Sequence, residues 1–261
     1  MMISINKEFR LGLTTTNNQG CLMKIVEYNN CDNIIVEFQD KHKATVHTKY
    51  GHFISGGVKN PYYPNVYGVG ATGDKYPTNF NGKKIKEHNT WNGMLTRCFD
   101  DKTKEKYPTY KNVVCCKEWL LYDNFYEWVH NQSNFNKWLN GDRWALDKDI
   151  LIKGNNIYSP ETCCLVPQYI NNLFAVQNSK RGCLPIGVSK SKNKFLARCY
   201  NPITNKRERL GLYLTPEDAF LAYKRYKENL VKQVAQIEFD KDNITSSCYD
   251  AMMKYEVEIT D

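Results

Sequence analysis

The feature that most constrains this chain is the run GVSKSKNKFLARCYNPITNKRERLGLYLTPEDAFLAYKRYKE, where hydrophobic residues recur at every second position and then at every third or fourth. PIGVSKS, KFLARCYNP and KRERLGLY each alternate with period two, and NPITN supplies the turn between the second and third. Thr215-Pro216-Glu217-Asp218 then opens a helix, with Thr215 as N-cap, proline at the first helical position and acids in the first turn. Ala219, Phe220, Ala222, Tyr223, Tyr226 and Leu230 give that helix one apolar face. The expected unit, from Gly182 to about Gln236, is three strands backed by one helix. Alternation sends Phe195, Ala197 and Cys199 toward the helix and Arg198 and Tyr200 outward, joined on the next strand by Arg207 and Arg209 opposite Leu210.

The charge follows the same segment. From Asn178 to Val234 there are 13 Lys+Arg against 4 Asp+Glu, whereas Ala235 to Asp261 has 2 against 7, within a net charge of +8. Fewer than sixty residues therefore carry more than the whole positive excess. A dense basic segment with interspersed aromatics favours a polyanionic partner, because each neutralised phosphate releases condensed counterions; a solvated charged face is the alternative. Arginines on the outward face can bond guanine edges bidentately, and Lys190, Lys192 and Lys194 around the first turn are placed for phosphates.

The 261 residues exceed one typical domain. CLMKIVEY, NIIVEFQD and KATVHTKYG are short β-branched runs between turn clusters, which predict three or four strands in a small antiparallel barrel or meander over residues 1–58. Residues 59–83, rich in Gly, Pro and Tyr, read as a linker without regular structure. From Lys86 the pattern turns helical, with Trp91, Met94, Leu95 and Cys98 on one face. A second helix is expected over Lys117–His130, whose aromatic stripe reads as core rather than as a base-stacking platform. A strand at Leu146–Ile150, a polar loop, a strand at Cys163–Val166 and a short helix from Gln168 follow. Residues 237–261 form an acidic tail, loosely ordered or folded back on the basic sheet.

The opening MMISINKEFR lacks an apolar signal core, and no apolar run is long enough to span a bilayer, so a soluble intracellular protein is expected. Ten cysteines without a signal then read as reduced thiols. The adjacent pairs Cys115-Cys116 and Cys163-Cys164 lack the C-x2-C spacing of a zinc site, which leaves small buried core residues or a site assembled in space from Cys98, one cysteine of each pair and a fourth ligand.

On GVSKSKNKFLARCYNP, RERLGLY and TPEDAFLAYKRYKE, the C-terminal unit (178–236) resembles the DNA-binding domain of the AP-two/ethylene-response-factor family. The resemblance implies that the sheet lies in the major groove of double-stranded DNA with the helix behind it. The usual tryptophan of the return strand is absent, with Arg209 near its place, so base preference does not transfer.

Residues 84–176 resemble phage HNH-type, homing-endonuclease-like nucleases, in the branch whose motif ends in asparagine; TWNGMLTRC, VVCCKEW, LDKDIL, GNNIYSPETC and CLVPQYINN carry the likeness. The resemblance implies a ββα-metal module holding one divalent ion, with Mg2+ as the expected cofactor. Its ligands fall at Asp147 and Asn171, the general-base histidine at Lys148, and the loop-bracing asparagine near Thr162. Lysine with an ordinary pKa near 10.4 is protonated at neutral pH and is a poor base. Asp149 is the neighbouring substitute, on the strand face shared with Asp147. His42, His47, His52, His88 and His130 lie outside the motif; only His88 and His130 could approach it, through tertiary packing.

The expected class is α+β and multidomain: an N-terminal β domain, a linker, a ββα module with flanking helices, a three-stranded sheet plus helix, and a tail. The expected function is sequence-specific DNA binding in a phage-type protein, in the cytoplasm of a host cell, with metal-dependent nicking by Asp147, Lys148, Asp149 and Asn171. The alternative is a non-catalytic DNA-binding or regulatory protein, or a host-factor antagonist, on a degenerate nuclease scaffold.

Overall fold

The structure is a computed structural model that describes residues 9–175 and 183–261. The fold is mixed α+β, and the chain divides into two compact units. One runs up to Lys111 and takes in Cys115–Glu127; the other comprises Asn112–Val114 and Trp128–Asp261.

The first unit opens with an antiparallel meander of β1 (Thr14–Thr16), β2 (Leu22–Asn30), β3 (Asn33–Phe38) and β4 (Thr45–Thr48), in that spatial order. Alternation places Met23, Ile25, Ile34, Val36 and Phe38 on one buried face, closed by Phe53 of the short helix α1 (Tyr50–Ile54). Of the region expected to be linker, only the two-residue strands β5 (Asn79–Phe80) and β6 (Lys83–Lys84) pair regularly. The rest is held by side chains and by irregular backbone bonds such as Gly73 N–H to Pro61 O (3.0 Å). The Tyr62 hydroxyl donates to Asp74 (2.6 Å), and Tyr76 stacks on Tyr126 at 4.2 Å. Gly73 has φ +72°, and a Cβ there would lie 1.9 Å from an Asp123 oxygen, so only glycine fits.

Helix α2 (Lys86–Phe99) buries Trp91, Met94, Leu95 and Cys98 as its spacing predicts, and Asp100 caps α3 (Asp101–Lys106) through the Thr103 N–H. The helix expected over Lys117–His130 is interrupted. A 3-10 turn covers Glu118–Leu120, and α4 (Tyr122–His130) begins only after Leu121. The break arises because Leu121 is extended: the Ala71 N–H donates to Leu120 O and the Tyr122 N–H to Ala71 O, each at 2.9 Å. The aromatic stripe is core, with Trp119, Tyr122, Phe125 and Val129 fully buried.

The second unit contains α5 (Phe135–Asn140), the antiparallel pair β8 (Trp144–Asp147) and β10 (Cys164–Pro167), and α6 (Gln168–Phe174). Val114 of β7 (Val114–Cys115) donates to Asn156 O, beside β9 (Ile157–Tyr158). The strand expected at Leu146–Ile150 stops at Asp147, because the Asp147 carboxylate takes the Asp149 and Ile150 N–H groups out of the ladder. Next come β11 (Val188–Ser191), β12 (Lys194–Asn201) and β13 (Lys206–Tyr213), a three-stranded antiparallel sheet in that order, backed by α7 (Pro216–Asp240). Thr215 caps α7 by accepting the Asp218 N–H, with Pro216 at N1. Residues 178–182, including Lys180 and Arg181 of the basic segment, lie outside the described residues.

The acidic segment does not lie on the outward face of the sheet. It forms α8 (Ser246–Met253) against α7, and Ile244, Cys248, Met252 and Val257 are buried in the same core as Ile170, Ala197, Phe220 and Val231. Asn134 fastens this core by donating to Leu165 O (2.9 Å) and Asn243 O (3.0 Å). Among the described residues, no helix is long and apolar enough to cross a membrane.

Candidate functional site

Two places in the second unit carry the residues singled out by sequence. The first is the sheet face turned away from α7. Cross-strand register sets Arg198 opposite Arg209 and Tyr200 opposite Arg207, and all four side chains are exposed. Ala197 and Cys199 are buried toward the helix. Among the described residues none of the three arginines has an acidic partner, and Glu208, opposite Cys199, belongs to the other face. The Tyr200 hydroxyl donates to Asn205 in the turn, which fixes the ring. That turn is built by Asn201, whose Oδ1 accepts the Ile203 and Thr204 N–H groups while its amide donates to Tyr226 of α7.

Lys192 and Lys194 sit at the tight β11–β12 turn, where Lys192 has φ +53°. Lys190 differs from its neighbours: it pairs with Phe195, which puts it on the helix side of the sheet near the edge. A β-bulge interrupts β13. Leu210 and Gly211 together oppose Ala197, and Gly211 has φ +137°. Strict alternation from Arg209 would turn Leu212 inward. With the extra residue absorbed, Leu212 instead pairs with Leu196 on the outward face, so these two leucines join the surface that sequence alternation assigned to arginine and tyrosine.

The second place is a cleft of about 250 Å³ lined by Asp147, Asp149, Lys153, Asn171, Phe174 and Tyr255 among others. Two strands and a helix bring Asp147 and Asn171 to it: β8 ends at Asp147, β10 returns beside it, and α6 carries Asn171. Asp147 is buried, and its Oδ1 accepts the N–H groups of Asp149 (2.9 Å) and Ile150 (2.8 Å). Burial, and then the neighbouring Asp149 charge, push its carboxyl up to about 6.

The expected separation of Lys148 from Asp149 does not occur, because the backbone bends after Asp147. Lys148 is buried, and its Nζ donates to Asp149 Oδ2 (3.0 Å) and Asn155 O (2.8 Å). The loop is braced mainly by Asn155, whose amide donates to the carbonyls of Lys148 and Ile157, both at 2.7 Å; Thr162 adds one bond to Ile157 O. Thr162, expected to brace the loop, is thus secondary to Asn155, which lies in the turn-prone run Gly154-Asn155-Asn156. His130 packs on Phe135 at 4.0 Å, and His88 lies against Trp91 and Tyr122 in the first unit.

Asp147 and Asn171 line one cleft, and a carboxylate with an amide oxygen is the donor type that a hard, hydrated cation such as Mg2+ takes. Asp149 is engaged by Lys148, and among the described residues no three His, Cys, Asp or Glu groups converge as a closed site for zinc would require. No protein-family model, curated protein or solved structure matches the chain.

Proposed function

We propose that this protein binds double-stranded DNA in a sequence-specific manner through the outward face of β11, β12 and β13. The observation that carries the reading is the cross-strand pair Arg198–Arg209, continued by Tyr200–Arg207, on a face without acidic partners among the described residues. Like charges directly opposite in a sheet are destabilising, so an isolated sheet gains nothing from this arrangement. A guanine edge or a phosphate offsets the repulsion and uses the bidentate donor geometry.

The test is binding of labelled duplexes by the full-length chain across a salt series. With about five phosphates contacted, log K against log salt should fall with a slope of roughly −4 to −5. Arg198→Ala, Arg207→Ala and Arg209→Ala should each cost about 1 to 3 kcal/mol on a selected site and less on random DNA. Lys192→Gly, which removes a charge without straining a positive φ, should weaken both alike. No binding at low salt would end the reading; equal losses for every variant on every sequence would reduce it to charge attraction.

A second reading, weak metal-dependent nicking, is favoured by one observation: Asp147 and Asn171 line the same cleft. A Mg2+ ion held there would supply Lewis-acid stabilisation of phosphate charge. The chain's own residues supply the rest unevenly. Asp147 has one oxygen committed to the loop turn, Lys153 Nζ is held by Asp261 (2.8 Å) and the Glu256 carbonyl (3.0 Å), and Lys148 Nζ donates two hydrogen bonds where a base would have to accept a proton. We therefore assign the cleft as a nuclease scaffold without its general base.

A further inference from the structure

Resting on the DNA-binding reading above, we infer that Leu196 and Leu212 form an apolar row that takes up the 5-methyl groups of thymines beside the bases contacted by arginine. The two leucines are directly paired across β12 and β13, and Ser189 of β11 continues the row on the other side of Leu196. Leu212 keeps 44% of its surface exposed on the edge strand β13. Its orientation depends on the bulge: Gly211 is absorbed opposite Ala197, so Leu210 and Tyr213 both pack toward α7 while Arg209 and Leu212 both point out.

A single exposed leucine needs no explanation. Two leucines paired across strands, next to an arginine pair, make a surface with an apolar stripe beside a cationic one. Among base edges in the major groove, only thymine carries an apolar group, and only guanine offers the twin acceptors that suit arginine. The order of the rows therefore matches a site with thymine near guanine. Neighbouring rows on one face are about 7 Å apart along a strand, and neighbouring strands about 5 Å apart. Base pairs stack about 3.4 Å apart, so the thymine lies within about two base steps of the guanine whichever way the strands cross the groove.

The full-length chain should be used to select sites from a random duplex library, and each thymine of the selected site then replaced singly by deoxyuridine, which lacks only the methyl group. Burying one methyl corresponds to about a fourfold change in affinity. The unaltered protein should lose about that factor at one or two thymines within about two steps of a G·C pair. Leu212→Ala and Leu196→Ala should bind thymine and uracil versions alike while still responding to salt as the unaltered protein does. Indifference to every replacement, an undiminished thymine preference in both variants, or selection of no site at all would overturn this inference and leave DNA binding standing. Self-association that Leu212→Ala abolishes, with the thymine-to-uracil ratio unchanged, would assign the row to a second copy of the chain. Absence of duplex binding under any condition would instead remove the reading on which the inference rests.

Discussion

Lys148 decides what the cleft can do, because its nitrogen is spent on Asp149 and on the Asn155 carbonyl. General-base catalysis is worth about 10²- to 10⁴-fold, so the unaltered protein should nick plasmid DNA slowly or undetectably with Mg2+ or Mn2+. Lys148→His should raise metal-dependent nicking, at a stability cost of about 1 kcal/mol for the lost bond to Asn155 O. Robust cleavage by the unaltered protein, insensitive to Asp147→Ala, would put the chemistry elsewhere in the chain. Metal binding is read separately: added Mg2+ should raise the melting temperature of the unaltered protein and leave that of Asp147→Ala in place. Asp147 and Asn171 could be singled out as candidates in the sequence because carboxylate and amide side chains are the types a hard cation takes. The bracing role of Asn155 was not, because it depends on how the loop closes between Lys148 and Ile157.

At the level of elements, α2 holds a titratable group in its packed face. His88 is buried between Trp91 and Tyr122, and burial holds its imidazole down to about 4. In the unfolded chain a histidine protonates near pH 6.5, so between about 6.5 and 4 the unfolded state binds the extra proton and acid favours unfolding. His88 should therefore cost the first unit about 1 to 3 kcal/mol of stability as pH falls through that window. His88→Phe should flatten that part of a pH-dependent denaturation series, and an unchanged slope would mean that the imidazole is not shielded in solution. Element types were readable where one face is buried, as in α2, or where a cap is also present, as in the Thr215-Pro216 start of α7. Two boundaries were not. Leu121 leaves the helix to pair with Ala71, and β8 ends where Asp147 captures its own backbone; both depend on partners that periodicity does not encode.

Taken whole, the second unit draws its core from beyond β11, β12, β13 and α7. Ile170 and Leu173 of α6 precede them, Cys248 and Met252 of α8 follow, and buried Lys227 of α7 donates to the Leu173 carbonyl. A fragment of residues 178–236 loses these partners, of which Ile170, Leu173 and Met252 are worth about 1.5 to 3 kcal/mol each when fully buried, and should show no cooperative thermal transition. A fragment of residues 128–261 should melt cooperatively; equal melting of the two would mean that α6 and α8 add nothing to stability. The bulge in β13 has an effect at this scale too. Removing Gly211 leaves Arg209 and Leu212 on the same side, since Leu210 alone then opposes Ala197, but it takes away the local twist that the extra residue imposes. The facing of these side chains and the curvature of the sheet are thus set by different parts of one strand. A protein lacking only Gly211 should choose the same sequence as its parent while holding it less tightly, as a template with the right letters and the wrong bend.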